Sequence, residues 1–461
     1  MIVTVLAFVV TLGLLIVVHE YGHYRVAVAC GVKVLRFSVG FGRVIWRRQA
    51  SPDSTEFVLS ALPLGGYVRM LDEREGEVPA SQLGMAFNRK SLWKRSAVVA
   101  AGPVANLLLA VLLYAAANWI GVEEPKAVLA APPAQSVAAN AGVRAGDWAR
   151  EVSSDGIEWR ELRSMSDLRW ELTQAAMKGE NLQMSVTDAA GRGARNLTLD
   201  LANLDAREVD AQLMQRIGLG QTYSEPVLGE VRAGGPAAKA GLRSGDLVLS
   251  VDGAPVLDAA SLRETIRANV GAGTGAVAAP KPMSWRVDRA GQMLTLQVTP
   301  VTILDQQRRV GRVEAYIGKP AEMVTVKFGL FDGLSTAAAR TWDMSALTLK
   351  MMGRMVIGEA SLKNLSGPLT IADYAGKSAR LGLAYYLGFL AIVSISLGVL
   401  NLLPLPMLDG GHLIYYLFEA VTGRPVSELW LDRLQRGGVA IMLMMMSLAL
   451  YNDVARLLGL H

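Results

Sequence analysis

The sequence predicts a multi-domain membrane protein: four transmembrane α-helices with a membrane-associated β-element, plus two tandem soluble domains of α+β, β-barrel-like character. Three observations carry this. Four stretches are apolar enough to cross a bilayer: Ile2 through the motif after Val18, Ser96–Ile120, Leu381–Leu403 and Gly437–Tyr451. The composition, 51% hydrophobic yet 19% charged with a mean hydropathy of +0.30, is too apolar for an ordinary soluble protein and too charged for one lying wholly in lipid. Finally, the part between the second and third stretches is Gly-rich, charged and internally repeated.

The first span leads into His19-Glu20-Tyr21-Gly22-His23. On a helix, residues i and i+4 share a face, so His19 and His23 can grip one metal ion while Glu20 sits beside them to take a proton from its bound water. A soluble helix can carry H-E-x-x-H idly. Inside an apolar span, three polar side chains without a role cost several kcal/mol, so the address argues for function. The motif requires a third protein ligand. The one cysteine, Cys30, excludes an intramolecular disulfide, and it lies about 10 Å of helical rise beyond His23, too far to share the ion. The histidines are His19, His23, His412 and His461. No basic segment precedes the first apolar run, so it is expected to be retained rather than cleaved.

Tyr24 to Arg95 is rich in Lys and Arg, which places it in the cytoplasm with the N-terminus outside. The net charge of +5 is modest, and no compact basic run interleaved with aromatics points to nucleic acid. Phe37–Gly42 and Phe57–Val68 read as short strands broken by glycines. They are too apolar for a free hairpin and suit a sheet element dipping toward the membrane. In the second span Gly102-Pro103 and Asn106 interrupt the apolar pattern, and Asn106 is expected to face the bundle.

From about Glu123 to Thr302 the chain is outside. Ala141-Gly142-Val143-Arg144-Ala145-Gly146-Asp147 recurs about a hundred residues later as Ala240-Gly241-Leu242-Arg243-Ser244-Gly245-Asp246. The signature resembles bacterial PDZ domains, which capture chain ends by adding a strand. The first copy departs from the pattern at Trp148-Ala149-Arg150-Glu151. Gly218-Leu219-Gly220 is either a carboxylate loop or an ordinary strand end. Phe328 to Ile357 is amphipathic and is expected to lie on the outer membrane surface or against the PDZ pair.

The third span runs into Asn401-Leu402-Leu403-Pro404-Leu405-Pro406-Met407-Leu408-Asp409-Gly410-Gly411-His412. Arg424, Arg433 and Arg436 put the next connection inside, so Asp409 reaches the depth of the histidines from the same side and is the candidate third ligand. Prolines 404 and 406 break the helix and let irregular backbone present it. As a structural alternative, Asp409-Gly410 makes a turn or cap. His412 is assigned to outer support or packing rather than ligation.

Together these motifs, with Pro63-Leu64-Gly65-Gly66-Tyr67 and Ala101-Gly102-Pro103-Val104-Ala105-Asn106, resemble the site-2 protease family, in its bacterial sigma-E-regulating branch, over the full chain. The resemblance implies a Zn2+ enzyme of the bacterial inner membrane, with metal on His19, His23 and Asp409 and Glu20 as the catalytic residue. Asn401, Pro404, Pro406, Gly65, Gly66 and Tyr67 would hold substrate. That substrate would be the transmembrane segment of a single-pass protein such as an anti-sigma factor pre-cleaved by another protease, with the PDZ pair as a filter. Expected boundaries are 1–122 and 381–461 for the two parts of the membrane core, 123–221 and 222–306 for the PDZ domains, and 307–380 for the linker. Both termini and the PDZ domains would be periplasmic, the active site near the cytoplasmic side, and the protein a monomer in the bilayer without nucleic acid. Two rivals are a membrane-anchored PDZ scaffold with a non-catalytic metal site, and a transporter. The transporter requires wet polar faces on several spans, whereas the third and fourth carry almost no charge.

Overall fold

The first apolar run folds as one unbroken helix, α1 (Ile2–Ala29), about 42 Å long at 1.5 Å per residue and so longer than the roughly 30 Å hydrocarbon layer. A computed structural model describes residues 2–204, 211–270, 280–305, 308–357 and 367–457. Two compact units emerge, Met1–Val122 with Lys327–His461, and Glu123–Val326.

In the first unit, α1 is followed by a ribbon of β1 (Val34–Arg48) and β2 (Glu56–Met70), then α2 (Leu92–Ile120). The chain later returns as α3 (Leu330–Val356), α4 (Pro368–Leu381), α5 (Leu383–Asn401), α6 (Asp409–Thr422) and α7 (Glu428–Leu457). Among the described residues four helices are long and apolar enough to cross a membrane: α1, α2, α5 and the stretch Leu429–Ala455 of α7. The last begins earlier than its apolar run suggests, because Asp432 and Arg436 pair across one turn (2.9 Å) and carry the helix through charged residues.

Small residues set the helix packing. A Cβ on Gly22 would stand 2.5 Å from the Ala101 carbonyl oxygen and 2.8 Å from Ala105 Cβ, so only glycine admits this approach of α1 to α2. Asn106 is buried, as expected of a polar group facing the bundle, and its carbonyl accepts a hydrogen bond from Ser394 Oγ of α5 (2.7 Å). Tyr386 of α5 donates to the Ala7 carbonyl of α1 (2.8 Å). The amphipathic α3 packs on α2, where Trp119 Nε1 donates to the Leu330 carbonyl (3.1 Å) and Asn118 Nδ2 to that of Gly333 (2.9 Å). Asp453 of α7 caps α4, accepting from the N–H groups of Gly367, Leu369 and Thr370 at 2.9–3.1 Å.

The β ribbon is longer than two short strands. Phe37 is in register with both Val68 and Phe57, and Phe57 also with Arg48, so each strand doubles back on the other. Gly40 and Gly42, at φ of 87° and 85°, make the bends possible.

In the second unit the repeat is structural as well as sequential. Each half builds a four-stranded sheet of one order: 160–161, 148–153, 182–187, 195–199 in the first, and 254–255, 247–251, 283–289, 292–298 in the second. A helix, Met165–Lys178 or Ala259–Ala268, covers each sheet, and each half has its own core, around Leu168, Leu172 and Met184 or around Leu262, Val248 and Trp285. The repeated aspartates do one job twice. Asp147 and Asp246 each accept the N–H three residues upstream (2.8 Å), and they bind Arg195 (2.6 Å) and Arg289 (2.7 Å). The divergent Trp148 lies between Lys126 and Arg150, 4.0 and 3.9 Å from its ring centre.

The expected barrel-like closure is not there. Among the described residues no sheet closes: each four-stranded sheet ends on a two-residue strand, 160–161 or 254–255, too short to carry the ladder round.

Candidate active site

His19 and His23 project from one face of α1, with ring centroids 4.8 Å apart and planes nearly perpendicular. Asp409 is the first residue of α6, presented by the non-helical segment after Asn401. Met407 in that segment takes a φ of 82°, unusual for a side-chain-bearing residue, and a Cβ on Gly410 would stand 2.2 Å from the Leu403 carbonyl oxygen. The backbone is therefore folded tightly beneath the aspartate, and the two glycines after it are what the turn requires.

Three donor atoms converge. His19 Nε2 and His23 Nε2 are 3.2 Å apart, and Asp409 Oδ2 lies 3.3 Å from the first and 3.5 Å from the second. A tetrahedral zinc with bonds of about 2.0–2.1 Å needs its donors about 3.3–3.4 Å apart, so this triangle fits the ion. Among the described residues this is the cluster of His, Cys, Asp or Glu able to hold a metal. His412 and Cys30 are not in it.

The histidine tautomers also fit. His23 Nδ1 lies 2.8 Å from the Val98 carbonyl oxygen, which can only accept, so Nδ1 carries the proton and Nε2 turns its lone pair to the centre. His19 Nδ1 faces the side-chain amide of Asn106 at 3.5 Å, and Asn106 Oδ1 is buried without a partner. Exchanging the two ends of that amide lets the oxygen accept from His19 Nδ1–H, which frees its Nε2 in turn.

Two glycines bring these groups together. A Cβ at position 102 would lie 2.2 Å from His23 Nε2 and 2.8 Å from His19 Cε1. A Cβ at position 66 would lie 2.9 Å from Glu20 Cγ and 3.1 Å from Ile16 Cγ2, so β2 rests directly against α1 beside the glutamate. A cavity of about 600 Å³ opens here, lined by His19, Glu20, His23, Gly66, Tyr67, Asn401 and Asp409 among others. His412 lines it too, its ring edge-on to Tyr415 at 5.8 Å. Gly65, Pro404 and Pro406 lie off the lining: Gly65 packs under the Phe41 ring, and the Pro406 carbonyl abuts Gly438 of α7. The lining also includes an ion pair, Arg95 of α2 bound to Glu419 of α6 (2.6 Å).

Two imidazoles and a carboxylate aimed at one point, with a glutamate on the same cavity among apolar helices, define a membrane-embedded metallohydrolase. Comparison with known proteins makes this particular. The profile of peptidase family M50 matches residues 7–445, and the chain belongs to that family. It is 39% identical over 462 residues to the regulator of sigma-E protease RseP of Salmonella typhimurium, with 98% of each chain covered. Identity is 38% over 457 residues to the protein of that name in Escherichia coli K12, and 37% over 462 residues to the protease RseP of Yersinia pestis, again with 98% of each chain covered. The protein is a zinc metalloendopeptidase carried by several membrane-spanning helices.

The sequence reading missed the partners of the histidines, Val98 and Asn106, and the pair Arg95–Glu419. The close spacing of Gly102, Pro103 and Asn106 was the available signal for the first two. Nothing local signals the pair.

Proposed function

We propose that His19, His23 and Asp409 hold the zinc, that Glu20 is the catalytic general base and acid, and that the substrate is a transmembrane segment of a single-pass protein. The converging donors at 3.2–3.5 Å, with Glu20 on the same cavity, are the observation that carries this reading. When bound, zinc supplies Lewis-acid polarisation of the scissile carbonyl and of the attacking water. Glu20 takes the proton of that water and passes it to the leaving amine. Val98 and Asn106 keep both imidazoles in the tautomer the ion needs.

A helical segment shields its own peptide bonds, so it must be unwound before hydrolysis. The β2 backbone at Gly66 and Tyr67 is suited to holding the unwound strand, since both residues line the cavity and Gly66 offers no side chain to block approach. Asn401, at the end of α5 and on the same lining, is suited to hydrogen-bond the substrate backbone. Gly65, Pro404 and Pro406 act behind them, shaping the ribbon and the turn that carries Asp409.

The relatives named as regulator of sigma-E proteases support a substrate that controls a sigma factor, and the resemblance to the site-2 protease family makes it an anti-sigma factor trimmed beforehand by another protease. The duplicated four-stranded units support a PDZ pair that filters untrimmed substrates, and the basic residues between the first two spans support a cytoplasmic position for that connection, with termini and PDZ pair periplasmic. The test is cleavage of a model transmembrane substrate by the purified protein. Glu20→Gln abolishes cleavage with zinc retained. Undiminished cleavage by this variant overturns the assignment, and loss of zinc from it transfers Glu20 to the metal site.

A further inference from the structure

The third ligand stands on a short helix, and something must fix that helix against the histidines. Glu419, farther along α6 from Asp409, accepts two hydrogen bonds from Arg95 of α2: Nη2 to Oε1 at 2.6 Å and Nη1 to Oε2 at 3.1 Å. Arg95 Nε is also committed, donating to the Lys90 carbonyl (3.2 Å), and the guanidinium lies 4.9 Å from the centre of the Tyr416 ring. With each nitrogen engaged and one face covered, the guanidinium has a single orientation. Both charged side chains are largely shielded, at 14% and 22% exposure, on the cavity that holds the metal ligands.

The helix that carries Arg95 also carries the Val98 carbonyl on His23, Gly102 beneath both imidazoles, and Asn106 on His19. Thus α2 is the common reference for all three ligands: it orients the histidines directly and reaches Asp409 through α6. A side-chain tip stands about 5–6 Å from a helix axis, so a 10° rotation of α6 moves the carboxylate by about 1 Å. Metal–ligand distances tolerate about 0.2 Å.

We propose that Arg95 and Glu419, with Tyr416 under the guanidinium, form a positioning clamp that fixes the rotation of α6 and thereby sets the reach of Asp409 to His19 and His23. The proposal rests on reading those three residues as the zinc site. Neither clamp residue touches the ion or the scissile bond. They act through Asp409.

The experiment is a double-mutant cycle on the full chain in detergent: Arg95→Ala, Glu419→Ala and both together, with Arg436→Ala, from an exposed pair, as control. Zinc affinity is read by competition with a chromophoric chelator, and kcat and KM by cleavage of a transmembrane reporter. Each single variant weakens zinc binding about tenfold or more and lowers kcat with little change in KM, and the double variant is no worse than either single. Singles within twofold of the parent, or a double that multiplies their effects, overturn the clamp. A lowered melting temperature with unchanged zinc affinity of the folded protein also overturns it, because that is a structural role only. A parent protein that takes up no zinc overturns the underlying site as well, which separates the two failures.

Discussion

Replacing Gly102 by alanine separates the needs of the helix from those of the site. In an isolated helix the change is favourable by about 1 kcal/mol, because alanine has the better helix propensity. In this protein the new methyl would stand 2.2 Å from His23 Nε2, 2.7 Å from His23 Cε1 and 2.8 Å from His19 Cε1. Neighbouring carbons and nitrogens tolerate about 3.5 Å, so the His23 ring must retreat by about 1 Å. That retreat stretches the 2.8 Å bond from Nδ1 to the Val98 carbonyl and exceeds the roughly 0.2 Å latitude of a metal ligand. Moving the ring off its preferred geometry costs about 1–3 kcal/mol, which corresponds to about a tenfold to hundredfold loss of zinc affinity. Misplacement on this scale lowers cleavage by about a hundredfold. The assay pairs zinc competition with cleavage of a transmembrane reporter, alongside thermal melting of the zinc-stripped protein. The expected result is a metal-free fold that still forms, between about equal to the parent and about 2 kcal/mol less stable, with zinc binding and turnover impaired well beyond that difference. A Gly102→Ala protein that binds zinc and cleaves within twofold of the parent would refute the argument that the two imidazoles meet over this bare backbone.

Further outcomes follow from the same geometry. Asp409→Asn keeps the shape but removes the anionic oxygen proposed as the third donor, so zinc content measured by atomic absorption falls well below one per chain while the protein stays folded. Gly66→Ala, whose methyl would press on the Ser38 carbonyl at 2.8 Å and on Glu20 Cγ at 2.9 Å, lowers kcat/KM about tenfold or more with zinc content unchanged, which separates disturbance of the proposed base and strand site from disturbance of the metal. In the second unit, burial pushes the Asp246 carboxyl up, but the Arg289 guanidinium at 2.7 Å and the Arg243 N–H at 2.8 Å outweigh it and hold the group below its ordinary value. A depressed folded value means that the pair contributes stability above the unfolded value of about 3.9 and loses it as pH falls through the folded one. Hydrogen exchange of Leu247–Val251 in the intact protein should therefore lose protection below about pH 4, and Asp246→Asn should lower protection at neutral pH by about 2 kcal/mol and flatten that acid dependence. Equal protection in parent and variant at neutral pH would sink this account of the repeated aspartate.

What the sequence revealed depended on how local the signal was. H-E-x-x-H announces itself because one helical turn places both imidazoles on one face, and the apolar setting makes three polar side chains conspicuous. Asp409 was a candidate because the basic residues near the third and fourth apolar runs argued that it shares a depth with the histidines, and its carboxylate does lie 3.3 and 3.5 Å from the two imidazoles. The repeat was legible because its aspartate closes a turn within its own heptapeptide, and the strand arginines that complete each ion pair, Arg195 and Arg289, were not. The doubled β ribbon exceeded expectation because glycine bends at 40 and 42 look in sequence like strand breaks, yet their positive φ lets one strand fold back and pair twice. The barrel failed because alternation within strands says nothing about how long the edge strand is, and closure turns on that edge. Arg95 and Glu419 left no trace, being separated by most of the chain and drawn from residue types that are ordinarily solvated at a membrane boundary. The division is physical: a ligand is recognisable by its chemistry, whereas the groups that aim it are carbonyls, glycines and common ion pairs, whose identity carries no information until the fold places them. Here α2 gathers Arg95, Val98, Gly102 and Asn106 on one helix, so substitutions there should disturb metal binding without altering any of the residues proposed to hold the ion.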